Sequence, residues 1–375
     1  MVAPVSHPTT FLVHPGMNVD ATDGTSTSTS SRRRRAGPSA DADADADARG
    51  RPSTSLPLVL LLDLDGTLIG RVNMLIAEYD LHREVARAEG AGAAAAAAAA
   101  GRALRESFVT RLKHGLLRPG VRRFVRRVEQ LRAEGGATTP IELFVYTASD
   151  DAWARFIIPC VEAAIGARFN RPLFMRSHCL VRTGTNELRK SVAALLPRLL
   201  RSLRPRYPLL LSQAELAERV VLVDNTPGVL ADPREQARLL ICPTYEYNPV
   251  FDVLGRLPPG AILTRPALVA VVLARHGIGR QVGTASASAR GAGPVAMLSA
   301  YYQWLSTALS RTQRPNELAQ RNDVFWEALR RHVSALARRT HRATLPAHAV
   351  AALQHAAAVA AASTAPTGAP MGAAA

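Results

Sequence analysis

Four short apolar runs, each closed by a polar or reactive residue, organise the middle of the chain. PLVLLL (57–62) runs into Asp-Leu-Asp-Gly, IELFVY (141–146) into Thr147, and RVVLV (219–223) into Asp224 and Asn225; ARLLIC (237–242) ends in Cys242. Runs of this length without alternation predict strands buried on both faces. Helical periodicity separates them at 121–133, 151–165 and 187–200. Strands alternating with helices imply βαβ crossovers, hence an α/β fold with a doubly wound, Rossmann-like parallel sheet. Beyond about residue 260 the pattern is wholly helical, strongest at 295–309 and 316–338. Tyr301, Tyr302, Trp304, Phe325 and Trp326 gather there, as expected of the core of a C-terminal helical extension.

The flanks read differently. Residues 1–55 combine Ser, Thr, Asp and Gly with an arginine block at 32–35 and an Asp-Ala repeat at 41–48. Too little apolar surface is available there to offset ordering, so a disordered low-complexity tail is expected. The chain then divides into a sheet domain at 56–258, with an alanine-rich insertion near 90–101, a helical extension at 259–355 and an Ala-rich tail at 356–375.

A net charge of +16 over 375 residues raises the question of an acidic partner. Only Lys113 and Lys190 are lysines, so 44 of the 46 basic residues are arginine, the mark of a GC-rich coding sequence as much as of a basic surface. Nucleic-acid binding through the basic flanks stays open on this ground. Cys160, Cys179 and Cys242 form no CxxC pair or disulfide framework, which points to a reducing intracellular compartment, nuclear or cytoplasmic. The N-terminus lacks a signal pattern, and the best apolar stretch, 261–274, is broken by Arg265 and Pro266, so no membrane span is expected.

In a parallel sheet the active site gathers where strands end, which singles out Asp63, Asp65, Thr147, Asp224 and Asn225, with Lys190 opening a helix between them. Two aspartates one residue apart crowd their carboxylates, a costly arrangement that Mg²⁺ would relieve, with Asp224 a further ligand. Asp63 could then attack phosphorus, Asp65 serve as acid and base, and Thr147 and Lys190 hold the phosphoryl oxygens. Alone, Thr147 reads as a helix cap, Lys190 as a surface residue and 224–227 as a turn; their order and placement together favour catalysis.

These residues resemble the haloacid dehalogenase superfamily and, more narrowly, the RNA polymerase II C-terminal-domain phosphatases, also called NLI-interacting-factor-like. LLDLDGTL (61–68), LLRPGVRRFV (116–125), LFVYTASDDAWA (143–154) and VVLVDNTPGVL (220–230) carry the narrower likeness, which covers about 57–255. The resemblance implies a phosphatase domain without a large cap and with a small strand insertion at 168–185. It also implies Asp63 as nucleophile and metal ligand, and Asp65 as acid/base with its main-chain carbonyl on Mg²⁺. Thr147 and Lys190 would grip the phosphoryl group, Asp224 would bind the metal, and Asn225 would support the metal's waters. The expected function is a Mg²⁺-dependent phosphatase working through an aspartyl-phosphate on phosphoserine or phosphothreonine protein segments such as the polymerase C-terminal domain. A non-catalytic phosphopeptide- or peptide-binding module on the same fold and a small-molecule phosphatase are the alternatives; the oligomeric state is open.

Overall fold

The computed structural model describes residues 11–13, 56–89, 94–134, 140–182, 184–209, 212–257, 266–275, 294–339 and 355. The arginine block, the Asp-Ala repeat and the Ala-rich tail at 356–375 lie outside them. Within the N-terminal region a strand, β1 (Phe11–Val13), pairs antiparallel with Leu180–Arg182.

The main sheet has four parallel strands. β2 (Leu58–Leu62) lies at its centre between β3 (Ile141–Val145) and a strand at Val220–Asp224, and Leu239–Ile241 completes the far edge. β4 (Leu180–Arg182) and β5 (Leu188–Arg189) form the small antiparallel sheet with β1, and the remaining parallel strands are β6 (Val220–Asp224) and β7 (Leu239–Ile241). All five residues of β2, β3 and β6 are buried; their apolar residues account for most of this, and the one charge inside β3, Glu142, is met by Arg132 at 2.9 Å and Arg206 at 3.1 Å.

Alternate residues of β2 serve two cores. Leu58, Leu60 and Leu62 point into one with α3 (Val121–Ala133) and α4 (Asp151–Ile165); Val59 and Leu61 point into the other with α5 (Leu196–Leu203) and α6 (Gln213–Ala217). Helices therefore cover both faces, the doubly wound α/β arrangement expected from the sequence. α4 starts where the Asp150 carboxylate accepts from the Ala152 and Trp153 amides at 3.0 and 3.4 Å. It ends at Gly166 in the left-handed conformation.

The segment between the Asp-Leu-Asp-Gly loop and Leu117 holds α1 (Asn73–Glu89) and α2 (Ala94–Arg111). The alanine tract becomes the first turns of α2, a continuous helix whose Leu104 and Phe108 enter the first core.

Residues 187–200 depart from the single helix expected. Leu188 and Arg189 pair with β4, Lys190 bridges to Leu230, and regular helix begins only at Leu196. The apolar spacing of Leu196, Leu199, Leu200 and Leu203 is helical, but upstream the Lys190 amide donates to Val229 (2.8 Å) and its carbonyl accepts from Ala231 (2.8 Å), an extended pairing that overrides propensity.

The extension contributes α7 (Pro266–Arg275), α8 (Pro294–Asn322) and α9 (Phe325–Arg339). The helical stretches expected at 295–309 and 316–338 are divided elsewhere: α8 runs unbroken across the gap between them, Pro315 included. Asn316 fixes the helix there by bonding both the amide and carbonyl of Asn248, at 2.8 and 2.9 Å. The break falls after Asn322, where the Asp323 carboxylate accepts from the Phe325 amide at 3.2 Å. Tyr301, Phe325 and Trp326 are buried, Trp304 is half-buried and Tyr302 is exposed. α7 and α8 pack on α1, whereas Phe325 and Trp326 belong to the core beneath the sheet. No helix among the described residues is long and apolar enough to cross a membrane.

Trp326 is fully buried and lies 4.9 Å, centroid to centroid, from Phe124 of α3. Trp326→Ala should therefore lower unfolding stability by about 3–5 kcal/mol, read from urea denaturation. A loss under about 1 kcal/mol would show that α9 contributes little to the core.

Candidate active site

β2 delivers Asp63 to the end of the sheet, its amide still bonded to the Val223 carbonyl at 2.9 Å. Two residues later comes Asp65, and Gly66 then turns the chain with φ +75°; a Cβ there would lie 2.7 Å from Asn225 Nδ2. That position requires glycine for both conformation and space. β3 places Thr147 beside them, and β6 ends in Asp224.

Lys190 joins these strand ends. Its ammonium, 1% exposed, donates to Asp63 Oδ1 at 2.6 Å and to Asp224 Oδ2 at 2.7 Å, and sits 5.3 Å from the Tyr146 ring centroid. The other oxygen of Asp224 accepts from the Thr226 amide at 2.8 Å. Thr147 Oγ1 accepts from the Ser149 amide at 3.1 Å, which leaves its own proton to donate. The Ser149 hydroxyl in turn donates to Asp65 Oδ2, while Asp65 Oδ1 is buried with no hydrogen-bond partner among the described residues. Asn225 accepts from Thr67 Oγ1 at 3.2 Å and donates to Thr244 at 3.0 Å. All six residues expected from the sequence line one cleft of about 710 Å³.

Burial dominates the electrostatics. It pushes Asp63 up to about 7, with Asp224 and Asp65 adding to the rise and Lys190 opposing it. Asp65 is pushed up to about 6, again by burial, against the Ser149 bond and the Lys190 charge. For Lys190, burial alone would lower the value, but Asp63 and Asp224 outweigh it and hold the ammonium above the ordinary lysine range.

Three carboxylates facing one ammonium leave two negative charges uncompensated when all are ionised, and every donor is a hard oxygen. That set suits a divalent cation such as Mg²⁺. Among the described residues no three Asp, Glu, His or Cys side chains converge as a ligand cage. A site made of two carboxylates, a carbonyl and retained waters is the form Mg²⁺ prefers.

Sequence reasoning missed the residues that hold the loop from behind. The Thr67 carbonyl accepts from Trp326 Nε1 at 3.1 Å and from Arg118 Nη1 at 3.4 Å. Arg118 Nε meets Asp323 Oδ2 at 2.5 Å, with both side chains buried. The Arg-Pro-Gly sequence was the only signal of this clamp; Asp323 and Trp326 lie more than 200 residues away with no motif around them.

Comparison with known proteins bears on this site. Curated proteins yield no match. Two solved structures are similar over 80% of this chain and 70% of theirs, both with a TM-score of 0.29. One is Fcp1, described as an essential RNA polymerase II CTD phosphatase, at 15% identity, and the other a fission yeast Fcp1 variant bound to beryllium fluoride, at 14%. Residues 58–252, more than half the chain, match the family model described as NLI interacting factor-like phosphatase. That span contains every strand of the parallel sheet and all six residues of the cleft, and the chain belongs to the NLI interacting factor-like phosphatase family.

Proposed function

We propose that the chain is a Mg²⁺-dependent phosphatase acting on phosphoserine or phosphothreonine in protein segments, with Asp63 as nucleophile. The Lys190 ammonium held between Asp63 and Asp224 at the floor of an open cleft is the observation that carries this reading. A phosphoryl oxygen entering there meets a fixed positive charge beside the attacking carboxylate.

Asp63 attacks phosphorus in line, forming an O–P bond as the bond to the substrate oxygen breaks. Asp65 gives its proton to that leaving oxygen. With its carboxyl raised to about 6 and one oxygen unpartnered, Asp65 keeps a proton closer to neutrality than an ordinary aspartate does. It then takes a proton from water, which attacks the aspartyl-phosphate and releases inorganic phosphate. Thr147 and Lys190 hold the non-bridging oxygens throughout. Asp63, the Asp65 carbonyl and Asp224 would hold Mg²⁺, which would offset the phosphoryl charge, and Asn225, braced by Thr67 and Thr244, would support its waters.

Hydrolysis of an aryl phosphate and of phosphoserine peptides, each with and without Mg²⁺, tests the assignment. Asp63→Asn should lose at least about a thousandfold in kcat. Wild-type turnover no greater than the variant's would defeat the reading, and hydrolysis of the aryl compound alone would restrict it to small molecules.

A second prediction concerns pH. Without metal, native Asp63 holds a proton between its ordinary value of 3.8 and about 7, where the unfolded chain has released it. More protons bound in the native state means stability falls as pH rises through that window. Asp63→Asn should remove this fall, so thermal midpoints of the two proteins should diverge in favour of the variant from pH 4 to 7. A constant difference would show that native Asp63 is not held protonated in that window.

A further inference from the structure

Beside the catalytic cleft lies a second cavity, of about 660 Å³, that shares Tyr79 and Arg83 with it. Its floor is apolar, built from Tyr79, Leu104 and Phe156 with alanines around them. Its walls are cationic: Arg83 from α1, Arg102 and Arg105 from α2, and Arg155 from α4, with no aspartate or glutamate among the lining residues.

An arginine-rich chain displays guanidinium groups everywhere: Arg87, Arg127, Arg171, Arg234 and Arg330 each meet a nearby carboxylate, while Arg122, Arg126, Arg311 and Arg314 make no ion pair among the described residues. What marks this cluster is that its arginines line one cavity, adjoining the cleft, with no acidic side chain among its lining residues. Arg102, Arg105 and Arg155 are exposed and make no ion pair among the described residues. Arg83 reaches Asp80 and Glu84 at 3.3 and 3.7 Å, yet its Nε is buried without a partner. Like charges gathered around one cavity repel one another, a cost that an anionic ligand relieves.

We propose that this groove seats the acidic flank of the substrate: an extended polypeptide bearing carboxylates or phosphates near the phosphoresidue held over Asp63. The inference rests on the phosphatase reading above and names the substrate class of that same site. Continuity between the two cavities lets one chain occupy both. An extended segment sends alternate side chains to opposite sides, which suits an apolar floor between basic walls. A nucleic acid fits less well, because Arg105 lies 5.8 Å from the Phe156 ring centroid and Arg83 5.6 Å from that of Tyr79, so the aromatic faces are already occupied. The alanine tract has a role here: Ala98, Ala100 and Gly101 form a low wall, and a Cβ on Gly101 would meet nothing within 4 Å.

Two phosphoserine peptides, identical except for three flanking glutamates against three glutamines, provide the test on the full chain, with p-nitrophenyl phosphate as control. In the triple variant Arg102→Glu, Arg105→Glu, Arg155→Glu, kcat/KM for the acidic peptide should fall about tenfold or more, the scale of three solvent-accessible ion pairs. The neutral peptide and p-nitrophenyl phosphate should stay within about twofold. Gly101→Trp, which narrows the groove without changing charge, should act in the same direction. Equal treatment of both peptides by wild type and variants would overturn the proposal. So would displacement of the acidic peptide by a single-stranded RNA of equal charge at equal or lower concentration. Fluorescence anisotropy with the acidic peptide separates the two levels: if nothing is hydrolysed but the triple variant loses salt-sensitive binding, the catalytic reading fails and the groove stands.

Discussion

The buried Lys190 ammonium is the interaction on which the site depends. Taking an ion from water costs several kcal/mol even after relaxation, and a single partner seldom offsets that cost. Here two carboxylates, Asp63 and Asp224, each within 2.7 Å, hold the ammonium, and the backbone on either side of the lysine is bonded to the 229–231 segment. Because Asp63 follows the central strand, Asp224 ends its neighbour and Lys190 comes from a loop across the sheet, one cation ties three chain segments to one point. Removing it would leave two buried carboxylates facing each other, so the contact that holds the fold here is also the one the proposed chemistry uses.

A second constraint acts on the far side of the catalytic loop. Thr67 is buried between the cleft and α9: its hydroxyl supports Asn225, while its carbonyl receives Trp326 and Arg118. The Arg118–Asp323 pair is itself buried, and Phe325 lies 5.1 Å from the Arg118 guanidinium. Helix α9 therefore bears directly on the loop carrying the proposed nucleophile, although the family match stops at residue 252. Loop and helix share one core, so rigidity of the site is set partly from outside the matched domain.

Much of this was legible in the sequence because it follows from local chemistry. Strands buried on both faces are largely apolar, and polar residues at their ends stand out against that background; Asp63, Asp65, Thr147 and Asp224 were visible in this way. Helices α3 and α4 were equally plain from their periodicity. Lys190 was found, but its setting was not: the helical pattern read at 187–200 masked two strand residues paired with β4 and a bridge from Lys190 to Leu230, 40 residues away. The single α8 differs from the two stretches read at 295–309 and 316–338 because a side-chain bond from Asn316 to a distant backbone stabilises the helix where Pro315 removes a local one. Trp326 was expected to be buried, but nothing marked where it or Asp323 docks, because a buried tryptophan and a helix-capping aspartate look the same whichever core they join.

The alanine tract shows how a stretch without sequence information can still shape function. Alanines specify no packing, but they build a helix with almost no side-chain bulk. Placed in α2 beside the Tyr79–Phe156 floor, that helix leaves a groove open where bulkier residues would fill it, and Arg102 and Arg105 follow the tract at once. The helical segment between the catalytic loop and Leu117 is thus the part of the chain best placed to differ in specificity while the chemistry stays fixed. Strand ends determine which bond is broken. On the proposal made above, the α1–α2 segment, adjoining the cleft through Tyr79 and Arg83, is where a polypeptide substrate would be selected.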